Sequence, residues 1–442
     1  MGAGCAGDRA DRRTARGTQV KPQDALHVWH EERLVGTLWQ GSGERLIGFE
    51  YDSEWQATGH AISNSLPLEK RIWLPEEQTA HRWFGNLLPE EQARTALLKR
   101  LAIPDDDFAL LAAIGGDCAG ALTILPPGQL PTRQWEATPL ALDKLAQWAA
   151  YRDRYSLMGS DGNHQPPRLS LAGAQDKIPI VVDNGKLKLP RGATPSSHIL
   201  KFALEGRELI VLNELFLNTL ARLAGLACPT TTLGRAEGHA YLLVERYDRA
   251  GIGTPELHRI HQEDFCQAMG LSRIEKYQEP SGPRFAQCIA TARHACRPNA
   301  ASVQHLLRWQ VFNVLAGNTD GHAKNLSLLQ DERGQWQVAP AYDLVGTLVL
   351  GYHRDLAFSV GEQFNSQQLL PRDWQAFAKE SRFSYPFVRR EIRILAARLE
   401  ELLNADELRE ALHSAGLDEH GWIRLQQQRQ HILTQCYKAQ RW

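Results

Sequence analysis

Alternation of apolar and polar positions is clearest in the first part of the chain. Around the turn-forming segment WQGSGE, the runs LHVWHEERLVGTLW and ERLIGFEYDSEW alternate over residues 26–55 and predict a β-hairpin or small sheet. Apolar residues at helical spacing follow within residues 81–101. Residues 105–128 predict a helix, a Gly-Gly turn and a strand. A domain boundary is indicated by the loop-forming residues Pro126, Pro127, Gly128 and Pro131.

A second alternating region covers residues 168–248. The runs IPIVV and KLKLP flank Asp183-Asn184-Gly185, and Asn-Gly between such runs is a strong hairpin signal. The strand SHILKFA, the helix LIVLNELFLNTLARLAGL and a hairpin turning at Ala236–Gly238 complete the region. Strands, one helix and two more strands follow one another in the order of a protein-kinase small lobe.

Helical periodicity dominates the remainder. Helices are predicted at Ile260–Met269, Arg284–Ala295 and Ser302–Ala316, and again within 397–416 and 420–440. We therefore expect an α+β protein with a two-lobed kinase-like fold, a β-rich small lobe, an all-helical large lobe and an N-terminal α/β subdomain. The predicted division is a disordered tail at 1–22, an N-terminal unit at 23–130, a small lobe at 131–250 and a large lobe at 251–442.

Composition narrows the class of protein. The net charge of −1 provides no whole-chain attraction to nucleic acid or membranes. Seven scattered cysteines without a C-x-x-C pair indicate neither a disulfide framework nor a zinc site, and they suit a reducing compartment. No apolar run is long enough to cross a bilayer, and the first residues lack the apolar segment of a signal peptide. We expect a cytoplasmic protein.

The candidate chemistry begins in GNTDGHAKN and ends in APAYDLV. Asp320 is followed by Asn325 at a spacing of five, and Asp343 comes after a predicted hairpin that brings it beside Asn325. In kinases one Asp accepts the proton of the attacking hydroxyl, while an Asn and a second Asp hold magnesium. N-T-D-G alone is more typical of a capping turn, and the HRD and DFG flanks of most kinases are missing.

Other segments offer parts of a nucleotide site. Small residues in SLAGAQDK could let backbone N–H groups approach phosphates, although an isolated AGA run is more often an ordinary turn. Lys201 ends an apolar strand, where it could hold phosphates and pair with Glu214, or extend to solvent from an edge strand. His322 could contact nucleotide or cap its loop, and Lys324 could neutralise the transferring phosphoryl charge or face water.

Together these segments resemble the HipA family of bacterial toxin kinases. The elements SLPL, F-x-NLLPE and IGGDCAGAL occur in the N-terminal unit, and SLAGAQDK, HILK, VERYDR, QEDFCQ, NTDGHAKN and PAYD follow in family order. The resemblance implies a non-specific serine/threonine protein kinase that uses ATP and Mg²⁺. It also implies the toxin of a toxin–antitoxin pair, which phosphorylates an aminoacyl-tRNA synthetase, halts translation and induces growth arrest or persistence.

The resemblance also implies roles for individual residues. Asp320 matches the catalytic aspartate, with Lys324 beside it, while Asn325 and Asp343 match the magnesium ligands and Lys201 the phosphate-binding lysine. Ser170 matches the serine whose autophosphorylation inactivates family members, in agreement with the repulsion that a phosphate there would exert on nucleotide phosphates. The expected ATP-binding residues are Ala172, Gly173, Ala174, Gln175, Asp176, Lys177, Lys201, Glu245, Arg246, Tyr247, Asp248, His322, Asn325 and Asp343. Of these, Glu245–Tyr247 match the adenine hinge, and Asp248, which follows them, could reach the ribose hydroxyls.

Partners follow from the same resemblance. A HipB-type helix-turn-helix antitoxin is expected to bind the chain and to carry it onto operator DNA, with no membrane involved. Two alternatives stay open on the residues alone: a small-molecule phosphotransferase, which the same Asp, Asn and Asp would serve, and a non-catalytic co-repressor. The presence of Lys201, Asp320, Asn325 and Asp343 argues against the second.

Overall fold

The computed structural model describes residues 25–131, 136–150, 169–170, 177–191, 194–203, 207–254 and 256–442. The predicted tail at 1–22 and the segment Ala172–Asp176 of the expected phosphate loop lie outside these residues. Among the described residues, no helix combines the length and the apolar character needed to span a bilayer.

The N-terminal unit is an antiparallel sheet in the order β4-β3-β2-β1-β6, covered by helices. Its strands are β1 Ala25–His30, β2 Arg33–Gln40, β3 Ile47–Tyr51, β4 Ile72–Trp73 and β6 Leu122–Leu125, with β5 Asp117–Cys118 outside this sheet. Its helices are α1 Ser53–Thr58, α2 Thr79–Gly85, α3 Glu91–Leu101 and α4 Asp107–Ile114. The large aromatic side chains of Phe49, Trp55, Trp83 and Phe84 are fully buried in its core.

Between residues 26 and 55 the chain forms part of a small sheet, the second of the two predicted alternatives, with two turns rather than one. The chain reverses first between β1 and β2, where Glu31 has a positive φ of 52°, and again between β2 and β3. The helical pattern of 81–101 is likewise divided into α2 and α3, because Pro89 lies between them and cannot continue a helix from the preceding turn.

The small lobe is a second sheet, in the order β12-β13-β11-β9-β10-β7. Its strands are β7 Ala137–Pro139, β9 Lys177–Asp183, β10 Lys186–Pro190, β11 His198–Phe202, β12 Thr231–Ala236 and β13 His239–Glu245. Helix α5 Leu142–Ala150 and the largely buried α6 Leu209–Leu223 accompany it. The predicted Asn-Gly hairpin is present, with Asn184 at φ 49° and Gly185 at φ 73° between β9 and β10.

The sequence predicts an all-helical large lobe. The structure shows a lobe that is mainly helical but also contains strands. Its helices are α7 Phe265–Ala268, α8 Phe285–Ala295, α9 Asn299–Ala316, α10 Pro371–Glu380, α11 Tyr385–Asn404, α12 Asp406–Ser414, α13 Glu419–Arg424 and α14 Gln426–Ala439. A three-stranded sheet of β16 Gln262–Asp264, β17 Ser327–Gln330 and β18 Trp336–Val338 joins them, and β14 Arg249–Ala250 pairs with β15 His258–Arg259.

The predicted helix Ile260–Met269 is wrong over its first half. Residues 262–264 instead form a strand that pairs with β17. A helix at these residues would lose the backbone hydrogen bonds to β17. The side chain of Asp264 accepts a hydrogen bond from the Gln267 N–H, and the Gln267 side chain accepts one from the Asp264 N–H. This reciprocal cap starts the helix at Phe265 rather than at Ile260.

Candidate active site

A cavity of about 440 Å³ lies where the small lobe, the large lobe and the N-terminal unit meet. A volume of this size is typical of small-molecule sites. Apart from Ser170, the expected site residues among those that the structure describes line it: Lys177, Lys201, Glu214, Glu245, Arg246, Tyr247, Asp248, Asp320, His322, Lys324, Asn325 and Asp343.

Two lysines face each other at the small-lobe side of this cavity. Lys177 on β9 and Lys201 on β11 are direct cross-strand partners. Like charges in this position destabilise a sheet unless anions compensate them. Burial and the neighbouring Lys201 lower the pKa of Lys177 to about 8. This pair of cations favours an anionic ligand.

Lys201 is held by two carboxylates. Its Nζ lies 2.6 Å from Glu214 Oε1 on α6, the expected partner, and 2.7 Å from Asp343 Oδ1. Burial works to lower the pKa of Lys201, but Asp343 and Glu214 outweigh it and raise that pKa above its usual range. The lysine therefore stays charged and fixes Asp343 at the mouth of the cavity.

Asp343 combines an unusual backbone conformation with an open side chain. Its φ of 57° is in the left-handed region, where strain in a non-glycine residue often accompanies a functional site. Its side chain is 37% exposed. Burial would raise the Asp343 pKa, but Lys201 and Lys177 hold it well below its usual range, so the group is ionised.

Asp320 lies in the loop that follows α9. Gly317 ends this helix with a φ of 72°, and its N–H donates to the Asn313 carbonyl. The carboxylate of Asp320 accepts a 2.6 Å hydrogen bond from the Tyr277 hydroxyl. Burial raises the Asp320 pKa and Asp343 adds to this, while the Tyr277 hydrogen bond opposes it. A carboxylate with a raised pKa, exposed to a cavity, suits a general base.

Asn325 ends the short 3-10 turn Ala323–Asn325 and is buried beside Asp320. Its Nδ2 donates to the Asp320 carbonyl at 3.0 Å, which assigns Oδ1 as the atom left to bind a ligand. Carboxylate and amide oxygens are the ligands that Mg²⁺ prefers. The donor set of Asn325 and the ionised Asp343 therefore fits a magnesium ion.

The segment Glu245–Asp248 lies between the lobes, but two of its side chains are already engaged. Asp248 accepts hydrogen bonds from Arg246 and from the Gly120 N–H, each at 2.7 Å, and Arg249 Nη1 lies 3.1 Å away. Its oxygens serve a buried ion cluster, which argues against the expected contact of Asp248 with ribose. A hinge role would rest on the backbone, since the Tyr247 ring stacks on Tyr342 at 5.2 Å.

Lys324 also differs from the expectation of a catalytic role. Its Nζ donates to the backbone oxygen and Oδ1 of Asn86, each at 2.9 Å, and to Asp264 Oδ2 at 2.7 Å. These three acceptors use all three ammonium protons. Lys324 thus fastens the loop that follows α9 to the N-terminal unit, and no proton remains for a phosphoryl group.

His322 is buried within the loop. Burial lowers its pKa to about 3, so the imidazole is neutral. Its ring meets the Tyr277 ring edge to face at 5.0 Å, and the His322 backbone N–H donates to the Asp320 backbone carbonyl at 2.9 Å. The His322 side chain makes no capping hydrogen bond, so both expected roles, nucleotide contact and loop capping, stay predictions.

Ser170 is described only through its backbone. Residues 169–170 form β8, which pairs in parallel with β5 and places Ser170 opposite Cys118 of the N-terminal unit. The motif IGGDCAGAL thus contacts the segment that leads into the expected phosphate loop.

Sequence reasoning missed the residues that support the catalytic loop: Asn86, Glu90, Asp264, Lys276 and Tyr277. Asn86 and Glu90 belong to F-x-NLLPE and Asp264 to QEDFCQ, so their motifs were visible although their roles were not. Tyr277 lies in no recognisable pattern, and only the fold brings its hydroxyl to Asp320.

Known families cover most of the chain. The HipA-like C-terminal domain family matches residues 169–405, and the HipA N-terminal domain family matches residues 26–125.

Individual relatives agree with these families. A putative kinase of Sinorhizobium fredii, Y4mE, is 37% identical over 376 residues, which cover 83% of this chain and 88% of that protein. The serine/threonine-protein kinase toxin HipA of Shewanella oneidensis is 28% identical over 358 residues, 78% of this chain and 80% of that protein. A solved complex of HipA, HipB and operator DNA from Shewanella oneidensis contains a chain with a TM-score of 0.79 and 25% identity, covering 93% of this chain and 97% of that one.

Proposed function

This chain belongs to the HipA family of serine/threonine-kinase toxins, and on that basis we propose that it transfers the γ-phosphoryl group of ATP to a protein hydroxyl. The observation that carries the proposal is the shared cavity. Two cross-strand lysines face the ionised Asp343 there, and Asp320 and Asn325 line the same space. Phosphoryl transfer needs little more than positioning and charge stabilisation, which this arrangement supplies.

Each group has a task in the proposed reaction. Lys201 and Lys177 bind the phosphates, and Asp320 accepts the proton of the substrate hydroxyl as that oxygen attacks the γ-phosphorus. The bond between the γ-phosphorus and the β–γ bridging oxygen breaks, and ADP leaves. Asn325 and Asp343 would hold magnesium. When bound, that ion would neutralise negative charge on the phosphate oxygens.

Incubation with a cell lysate tests whether the substrate is a protein. Wild-type protein and Asp320→Ala are each mixed with γ-labelled ATP and lysate, and the labelled products are separated. We expect discrete protein bands that are absent with Asp320→Ala. Label found only in small molecules would instead favour the phosphotransferase alternative.

We further propose an aminoacyl-tRNA synthetase as the substrate and growth arrest as the consequence. The support is the relationship to a protein named as a HipA toxin. Purified synthetases, offered one at a time with labelled ATP, test this. One synthetase labelled by wild type, with its aminoacylation lost, is the expected result; no labelling across the panel contradicts it.

Self-inactivation through Ser170 is proposed as well. Phosphate at Ser170 would place negative charge next to a site built for nucleotide phosphates. Ser170→Ala should retain target phosphorylation but lose the main self-phosphorylation site. Mass spectrometry that finds the phosphate at another residue would contradict the assignment.

A HipB-type antitoxin is the proposed partner, and operator DNA is reached mainly through it, within the cytoplasm. Support comes from the similarity to the HipA chain in the complex with HipB and operator DNA. Co-expression with a neighbouring helix-turn-helix protein, followed by size exclusion with and without operator DNA, tests the assembly. DNA binding by this chain alone at equal affinity would contradict it.

A further inference from the structure

Tyr277 is fixed on both sides by the large lobe. The carbonyl of Lys276 accepts a hydrogen bond from the Ala323 N–H at 3.0 Å, and the Gln278 N–H donates to Ala357 at 3.2 Å. The Tyr277 ring also meets His322 edge to face. A tyrosine held in this way is poorly suited to act as a movable gate.

The hydroxyl of Tyr277 meets the proposed base directly. It donates to Asp320 Oδ1 at 2.6 Å, which fixes the orientation of the carboxylate. The second oxygen, Oδ2, is then the one that remains for a substrate hydroxyl. General bases are commonly oriented by a third group in this manner.

The N-terminal unit holds the same segment. Glu90, which precedes α3, places Oε2 2.7 Å from Lys276 Nζ, and both side chains are buried. Because Lys276 is next to Tyr277 in the chain, this interdomain ion pair acts on the position of the tyrosine. Glu90 Oε1 also lies 3.7 Å from Lys324 Nζ, which gives Glu90 a second, weaker contact with the catalytic loop.

We propose that Tyr277 is a positioning residue for Asp320, and that Glu90 of the N-terminal unit holds Tyr277 in place through Lys276. The proposal rests on the proposed kinase function. It makes the N-terminal unit a working part of the catalytic site, in addition to any role in binding partners.

The first test is Tyr277→Phe, which removes one oxygen atom and keeps the ring. The kcat for phosphate transfer should fall roughly 10- to 100-fold, because a base as a whole contributes about 10²–10⁴-fold and Tyr277 only orients it. The KM for ATP should stay within about twofold, since Lys201 is held by Glu214 and Asp343 rather than by Tyr277. Tyr437→Phe is the matched control, because its hydroxyl contacts only the exposed Arg441 within the described chain.

The second test is a double-mutant cycle in kcat. Glu90→Gln should lower kcat, and Glu90→Asp, which keeps the charge, should recover part of the loss. If Glu90 acts through Tyr277, the double variant Glu90→Gln/Tyr277→Phe should lose less than the product of the two single losses.

Several results would overturn the proposal. An unchanged or increased kcat in Tyr277→Phe would remove the positioning role, and a parallel rise in the KM for ATP would show general damage to the site. Multiplicative losses in the double variant would separate Glu90 from Tyr277. All ratios refer to wild-type transfer, so absence of transfer in the wild type would instead refute the underlying function.

Discussion

Lys324→Met separates the two roles that Lys324 can have in the catalytic loop. The Lys324 side chain is 4% exposed, and its three ammonium protons go to Asn86 and Asp264. Removing one partner of a buried ion pair leaves the other charge uncompensated and costs about 3–5 kcal/mol. Unfolding entropy of about 2.1 cal/mol/K per residue gives about 0.9 kcal/mol/K for the 442-residue chain, so the melting temperature should fall by about 3–5 °C.

A second variant makes this prediction specific. In Lys324→Met/Asp264→Asn the uncompensated carboxylate is gone, and the asparagine Oδ1 can still cap α7 as Asp264 Oδ1 does. Differential scanning calorimetry should show most of the lost stability restored, and labelled-phosphate assays should show most of the lost kcat restored with it. Restored stability without restored kcat would refute the structural role. It would instead indicate that Lys324 contacts the phosphoryl group directly.

Three further predictions concern charge. Because burial raises the pKa of Glu263 to about 7 from 4.5, the folded chain keeps a proton that the unfolded chain releases, so stability falls as pH rises from about 4.5 to about 7. Glu263→Gln should flatten that slope in thermal unfolding, and a wild-type slope would contradict it. Asp117→Asn should lower the free energy of unfolding by about 3–5 kcal/mol in urea titrations, because the buried arginines around Asp117 lose their shared anion. The control Glu419→Gln, at an exposed ion pair, should lower it by at most about 1 kcal/mol. Equal effects of the two substitutions would contradict this prediction. Lys201→Met should raise the KM for ATP about tenfold or more, since hydrogen bonds to charged groups are worth about 1.5–3 kcal/mol, and an unchanged KM would exclude Lys201 from phosphate binding.

Local signals predicted the elements that depend on neighbours in the chain. The Asn184-Gly185 turn was visible because only a few residue types adopt positive φ at both positions, and both angles are positive in the structure. The helix α9 was visible from its buried stripe. By contrast, the local sequence of β16 predicted a helix. Its three residues form a strand because they pair with β17, more than sixty residues away along the chain.

The same distinction applies to the site. Lys201, Asp320, Asn325 and Asp343 belong to short patterns with a known chemical use, and they line one cavity. The partners of Lys324, Asn86 and Asp264, lie 238 and 60 residues away, so no local pattern could show that this side chain was already engaged. Asp248 pairs with the nearby Arg246, but its contact with Gly120 is 128 residues away. A charged residue near a motif is therefore a weaker prediction than the motif itself.

The initial rate of γ-phosphate transfer by Asp320→Asn tests the central claim most directly. The control is Asp331→Asn, a similar change in the exposed turn between β17 and β18, where Asp331 accepts backbone hydrogen bonds that an asparagine can also accept. The account predicts that Asp331→Asn transfers phosphate at the wild-type rate and that Asp320→Asn is slower by about 10²–10⁴-fold. Transfer by Asp320→Asn at the wild-type rate would contradict the assignment of this cavity as the kinase active site.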